Sequence, residues 1–250
     1  MYQVFILSRN FFPFIKFPLE QSSQNLKFDI VRVVILNGEW LALRLLRAGI
    51  HFYLIGIFIL TFGIALSIHS SLGASPYDAL SVGLFRTFGL TIGSWEIIVG
   101  FTLIIFNALA EQKRPEYFAL VTSFVTGVGI DFWYFCVRYV LVFDSLIGQA
   151  ICLIAGIVLT SFGIAIYLQS HIAPNPMDKS MLVISKLTGW KMTYSRLAIS
   201  IVLVILALIF NGAVGIGTII NALFSGMLIN IFYPFAISLR KKSRYKPLAS

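Results

Sequence analysis

Gly56–Asp78 reads GIFILTFGIALSIHSSLGASPYD, and Gly156–Asp178 reads GIVLTSFGIAIYLQSHIAPNPMD. The two stretches align at an offset of 100 residues without a gap. Gly56, Ile57, Phe62, Gly63, Ile64, Ala65, Ser70, Pro76, Asp78 and Gly89 each recur 100 positions later. Conservative pairs such as Thr61 with Ser161 and Arg86 with Lys186 extend the match. A fixed internal period sets the architecture of a chain before any local reading does. Here each unit is an apolar helix, a break, and a Pro-x-Asp start of a new helix.

Working outward, the composition fixes the solvent. The chain is 58% hydrophobic and 12% charged, with mean hydropathy +0.91, whereas soluble domains carry about 25% charge. Apolar runs approaching the ~20 residues of a transmembrane helix recur. The expected class is an all-α, polytopic integral membrane protein in the lipid bilayer. The net charge of +9 does not point to nucleic acid, because the basic residues sit between and beside the apolar runs, where membrane topology is encoded. Cys136 and Cys152 have neither metal-ligand nor redox spacing and read as packing residues. No P-loop, dinucleotide, zinc-protease or nucleophile-elbow pattern occurs. Neither an enzyme, a cofactor nor a metal site is expected.

Residues 1–48 are mixed and lack the layout of a secretory signal. Residues 1–36 are expected to be peripheral or poorly ordered, and one reading makes part of them an upstream extension from a misassigned start. Trp40–Arg47 reads as an amphipathic lead-in. Repeat 1 covers 49–146, with spans at 49–69, 95–110 and 117–137 and a short helix at 76–88. Repeat 2 covers 147–239, with spans at 147–169, 194–210 and 217–239 and a short helix at 176–187. A basic tail, 240–250, follows. The third spans match at an offset of 99: TGVGIDFWYF at 126–135 aligns with SGMLINIFYP at 225–234.

A helix over Pro76–Phe88 is about 20 Å long at 1.5 Å per residue, short of a hydrocarbon core about 30 Å thick. It reads as a half-helix that enters and returns through a loop. Such backbone is tolerated where protein or water surrounds it. Three crossings per repeat is an odd number, so the second repeat is expected to be inverted. With both termini cytoplasmic, the inside segments 1–48, 111–116, 170–196 and 240–250 hold 6, 2, 4 and 5 basic residues, 17 of the 19. Short helices that did cross would give eight spans and parallel repeats, with 16 of 19 basic residues inside; helix length and the Lys113–Arg114 pair favour six.

The two breaks carry the candidate site. Ser75 and Asn175 suit N-caps, Pro76 and Pro176 suit the first helical position, and Asp78 and Asp178 resemble capping-box acids. Capping alone would explain them. Yet paired broken segments in inverted halves are also the best sequence pointer to a transporter site. The acids would then serve as cation, proton or cap residues. Direct contact with an anionic group would fall to Ser71, Ser75 or Asn175 near the positive helix ends. Glu96 and Arg196 start the second and fifth spans, as interfacial anchors or as cavity groups. Asp131 is an acid inside an apolar span, either functional or held in a buried hydrogen bond. His69 and His171 flank the breaks as interfacial or proton-carrying residues. The glycine pairs 56/63 and 156/163 share helix faces suited to close packing.

FGIALSIHSSLGASPYD, followed by GLTIGSW and by the later GTIINALFSG, resembles the YczE/YyaS/YitT family of multi-pass, mainly bacterial membrane proteins, its YczE branch most. The resemblance covers about residues 49–239 and implies a cytoplasmic-membrane location; it implies no substrate. Tyr77 stands where relatives often carry tryptophan. The expected function is that of a small-solute secondary transporter or exporter, substrate unknown, with a homodimer allowed but not required. The alternative is a non-transporting scaffold or accessory protein supporting another membrane or biosynthetic system.

Overall fold

The computed structural model describes residues 49–140, 145–170, 172 and 175–244. The expectations for residues 1–48, for His171 and for the end of the tail lie outside the described residues. Those residues form eight helices and no strand: α1 Gly49–His69, α2 Pro76–Phe88, α3 Ile92–Glu111, α4 Tyr117–Val140, α5 Leu146–Leu168, α6 Pro176–Thr188, α7 Met192–Ile209 and α8 Ile216–Arg244. α1, α3, α4, α5 and α8 are long and apolar enough to cross a membrane. The apolar part of α7 is shorter, Tyr194–Ile209, and α2 and α6 have 13 residues each.

Local chemistry sets the boundaries. The hydroxyl of Thr91 accepts from the Ser94 N–H, so α3 starts at Ile92 rather than at the aromatic Trp95. Glu96 therefore lies a full turn inside the helix. Ser145 caps α5 in the same way through the Gly148 N–H. Both short helices stop at a glycine with positive φ, Gly89 at 79° and Gly189 at 72°, which ends a helix without the steric penalty of a Cβ.

The two copies of the duplicated helix pack against each other. An added Cβ at Gly56 would lie 2.7 Å from Tyr167 Cα, at Gly63 2.6 Å from Thr160 Oγ1, at Gly156 2.8 Å from Gly63 O, and at Gly163 2.5 Å from Leu60 N. As α1 residue numbers rise, their α5 partners fall, so the helices run antiparallel. The contacts also exchange under the sequence offset: Gly56 meets Tyr167 as Gly156 meets Ser67, and Gly63 meets Thr160 as Gly163 meets Leu60. Small residues let the backbones approach where lipid offers no hydrophobic drive for association. α1 and α5 are also the most enclosed spans, 56% buried each against 11% for α8.

The outer helices interlock across the repeats. α2 packs on α3 and α7, and α6 on α7 and α3. Arg86 at the end of α2 donates to Asn211 O at 2.9 Å. Its counterpart Lys186 reaches Glu111 Oε1 at 3.0 Å, so positions 86/211 and 186/111 make one contact twice with different chemistry. The break after α1 passes through Ser71 (φ 60°) and Gly73 (φ 118°). Its backbone is laced to the segment before α8 by Ala74 N to Ala213 O at 3.0 Å, and to the first turn of α8 by Gly217 N to Leu72 O at 2.8 Å. Backbone outside a helix needs such partners when it is buried. Phe101 and Phe106 on α3, Phe118, Phe124, Phe132 and Phe135 on α4, and Leu223 and Phe235 on α8 face outward, as a lipid-exposed surface requires.

Gly63→Val places branched carbons against the α5 backbone. It is expected to destabilise the protein by about 1–3 kcal/mol or more. Gly189→Asn, in a left-handed position with nothing within 4 Å, is expected to stay within about 0.5 kcal/mol of the parent. Thermal unfolding of the purified protein in detergent reads both.

Candidate functional site

The starts of α2 and α6 line one cavity. At α2, the Ser75 hydroxyl accepts from the Asp78 N–H at 3.3 Å and donates to Asp78 Oδ2 at 2.5 Å. At α6, Asn175 Oδ1 accepts from the Met177 N–H at 3.2 Å. Asp178 is instead engaged from α5, where the Tyr167 hydroxyl donates to Asp178 Oδ2 at 3.0 Å. The same phenolic oxygen accepts from the Asn175 N–H at 3.4 Å. The two helix starts thus share a plan and differ in wiring: the first acid is held by its own cap, the second by the central helix pair.

The neighbouring helices bring charge to the same space. Glu96, only 2% exposed, accepts from the Ser81 hydroxyl at 3.1 Å, and its backbone carbonyl accepts from the Tyr77 hydroxyl at 3.0 Å. Arg196, its counterpart on α7, donates to Ser225 Oγ on α8 at 2.9 Å. Asp78, Glu96, Asp178 and Arg196 all line the cavity, whose empty space counted out to its mouth is about 660 Å³. Leu60 and Ile64 of α1 and Ile164 of α5 form apolar wall.

Of the residues expected from sequence, Ser75, Pro76, Asp78, Glu96, Asn175 and Asp178 line this space, while Pro176 is buried at the start of α6 and lines a separate hollow. Ser71 and Asp131 do not come to it. Ser71 is exposed in the break, its hydroxyl near His69 O at 3.5 Å. Asp131 accepts from the Thr91 hydroxyl at 2.6 Å and from the Gly93 N–H at 2.7 Å, tying α4 to the start of α3. Sequence reasoning singled out neither Asn221 and Ser225 on α8, Ser200 on α7 nor Tyr167, all on the walls. Asn221 carried one signal, a lone amide within the apolar GTIINALFSG.

A second, smaller hollow of about 380 Å³ lies beside the 111–116 loop, against Asn107, Pro176 and Lys179. Asn107 Nδ2 donates to Pro176 O at 3.3 Å. Lys179 pairs with Glu116 at 2.6 Å and Glu111 at 3.6 Å. This lysine, at the position matched by Ala79, ties the base of α6 to the loop and lies outside the larger cavity.

Residues 47–234 match a family of unknown function, DUF6198. Protein YyaS of Bacillus subtilis is 44% identical over 183 residues, 73% of this chain and 91% of that protein. The membrane protein YczE of the same organism is 33% identical over 189 residues, 75% of this chain and 86% of that protein. A Haemophilus influenzae protein is 26% identical over 203 residues, 80% and 91% of the two chains. Of the two Bacillus relatives, YyaS shares the more identities. No solved structure matches. The five apolar helices and the relation to YczE make this chain a membrane protein.

Cysteines at the cavity wall provide a test. With Cys136 replaced by serine and Cys152 by alanine, Ser200→Cys and Asn221→Cys are expected to react with a small water-soluble methanethiosulfonate. Ser123→Cys, buried between α3 and α4, is expected to remain unlabelled; mass spectrometry of the intact protein counts the adducts.

Proposed function

The chain belongs to the DUF6198 family, and from that premise together with the shared cavity we propose that it is a small-solute secondary transporter or exporter of the cytoplasmic membrane. The observation that carries the reading is the meeting of Pro76–Asp78 with Asn175, Met177 and Asp178 in one cavity. Sites of this kind arise where discontinuous helices from two halves converge. A solid interior would have favoured the accessory-protein alternative.

In this reading the halves are inverted repeats of three crossings, with α7 as the sixth span and α2 and α6 as half-helices. The antiparallel register of α1 and α5 supports it, because two equivalent helices packed antiparallel in one membrane have opposite orientation. The reciprocal contacts of α2 with α7 and α6 with α3 fit the same symmetry. The distribution of basic residues supports cytoplasmic termini. Alternating access would be rocking of the outer helices about the glycine-packed centre. No catalytic or cofactor role enters this scheme, and a homodimer is compatible with it.

Two measurements test the proposal. A cysteine at Lys113 is expected to be labelled from the cytoplasmic face only; labelling of intact cells by an impermeant reagent sinks the topology. Reconstituted in liposomes, the protein is expected to move a small solute, and Asp78→Asn with Asp178→Asn is expected to cut that flux at least tenfold. Absence of flux for every solute class, with the double variant fully able to replace the parent in cells, sinks the transport reading in favour of an accessory role.

A further inference from the structure

The cavity's charges do not balance. Asp78 from α2, Glu96 from α3 and Asp178 from α6 face it, against the single guanidinium of Arg196 from α7. The ion pairs among the described residues all lie elsewhere, at Glu111, Glu116, Lys179 and Lys186. The hydrogen bonds to the three carboxylates from side chains come from neutral hydroxyls: Ser75, Ser81 and Tyr167. Arg196 acts electrostatically on Asp178. Asp78 and Glu96 face the same space, and among the described residues no ion pair engages either. The other titratable wall groups are Tyr77 and Tyr167, whose hydroxyls are donated to Glu96 O and Asp178. α1 and α8 bring no ionisable side chain to the walls.

A buried carboxylate without a compensating charge is costly in a low-dielectric site. It persists with a proton on it or a cation beside it. The helix starts do not offset the imbalance with an anion. Pro76 and Pro176 have no N–H, while the Asp78 and Met177 amides are taken by Ser75 and Asn175. The Ala79 and Lys179 amides close the first turns onto Ser75 O and Asn175 O. Each start has at most one first-turn amide left for a ligand.

A second observation points to a ligand independently of the acids. Asn221 lines the cavity at 5% exposure, and among the described residues its side-chain amide has no hydrogen-bond partner. Its counterpart in the first repeat, Thr122, is satisfied by the Tyr53 hydroxyl at 2.9 Å. Ser200, 7% exposed on the same wall, presents a second polar group. The carboxylates are spread around the space rather than gathered: among the described residues no three His, Cys, Asp or Glu side chains are placed to hold a metal ion. An extended organic cation suits that spacing better than a single metal ion.

We propose that the cavity binds a small organic cation of the ammonium or guanidinium class between the Asp78–Glu96 wall and Asn221, in exchange for protons carried by Asp78 and Glu96. The inference rests on the transport reading and names its substrate class. The step balances: a protonated carboxyl releases its proton to water as the cation arrives, and the carboxylate left behind neutralises the cation. Return of a proton expels the cation at the other face.

The test uses three similar solutes of different charge: methylguanidinium, methylurea and methanesulfonate. Proton release is followed with a pH dye for the purified full chain in detergent, and lumenal pH and solute uptake are followed in proteoliposomes. Methylguanidinium is expected to release protons in detergent and to drive proton counterflow in liposomes; the other two solutes are not. Glu96→Gln is expected to weaken the apparent affinity for methylguanidinium about tenfold, and Arg196→Gln to strengthen it about tenfold. Opposite signs distinguish electrostatic contact with the ligand from a general loss of folding. Uptake of methylurea or methanesulfonate without a methylguanidinium response overturns the cation assignment and leaves transport standing. Proton release without flux keeps the cation site and overturns transport. Silence toward methylguanidinium in both assays, or loss of affinity in both variants, overturns the proposal.

Discussion

The close antiparallel approach of α1 and α5 is the constraint on which the remaining structure depends. Lipid supplies no hydrophobic force between apolar helices, so the pair is held by van der Waals contact and by what small residues permit. Gly56, Gly63, Gly156 and Gly163 supply that permission at four heights. Once the backbones are this close, both breaks are fixed in place. α2 and α6 must leave the ends of their long helices and turn back toward the centre. The cavity lies where they arrive, between two short helices of 13 residues and the central pair.

Keeping polar groups in that space requires a second level of organisation. The Pro-x-Asp starts satisfy most of their own amides through Ser75 and Asn175, so the helix ends need no outside partner. Tyr167 links the second start to the central pair by accepting from Asn175 and donating to Asp178. Tyr77 links the first start to α3 instead. Two copies of one sequence motif have therefore acquired different anchors, and the charges beside them have diverged further, Glu96 against Arg196. Symmetry describes the backbone; the chemistry of the cavity is asymmetric.

Much of this was legible in the sequence because it is local or periodic. The offset of 100 residues, the Pro-x-Asp starts, the glycine spacing and the length of the short helices follow from residue type and position alone. Arg86 and Lys186 could be matched from the repeat, but their partners at positions 211 and 111 could not, since those depend on how α2 and α6 cross the opposite half. Asp131 shows the same limit. An acid in an apolar span reads as either functional or hydrogen-bonded, but its partners Thr91 and Gly93 stand 40 and 38 residues away in sequence, and only the packing of α3 on α4 turns the acid into a cap. Asn221 was hidden for a related reason: α8 has no break to draw attention to it, and its significance appears only once the other walls of the cavity are in place.

The glycine contacts have a further consequence for how the protein is made. Gly56 meets Tyr167, and Leu60 meets Gly163, so the central pair joins residues about a hundred positions apart. At about 5–20 residues per second, the ribosome needs on the order of 5–20 s to supply the partner of a helix it has already released. Throughout that interval α1 presents a groove of small residues with no α5 to fill it, and the first break lacks the segment before α8 that satisfies its backbone. The first half is thus assembled as an open surface that only its own later copy completes. Duplication made the two halves alike, and it left the central surface of each to be covered by the other.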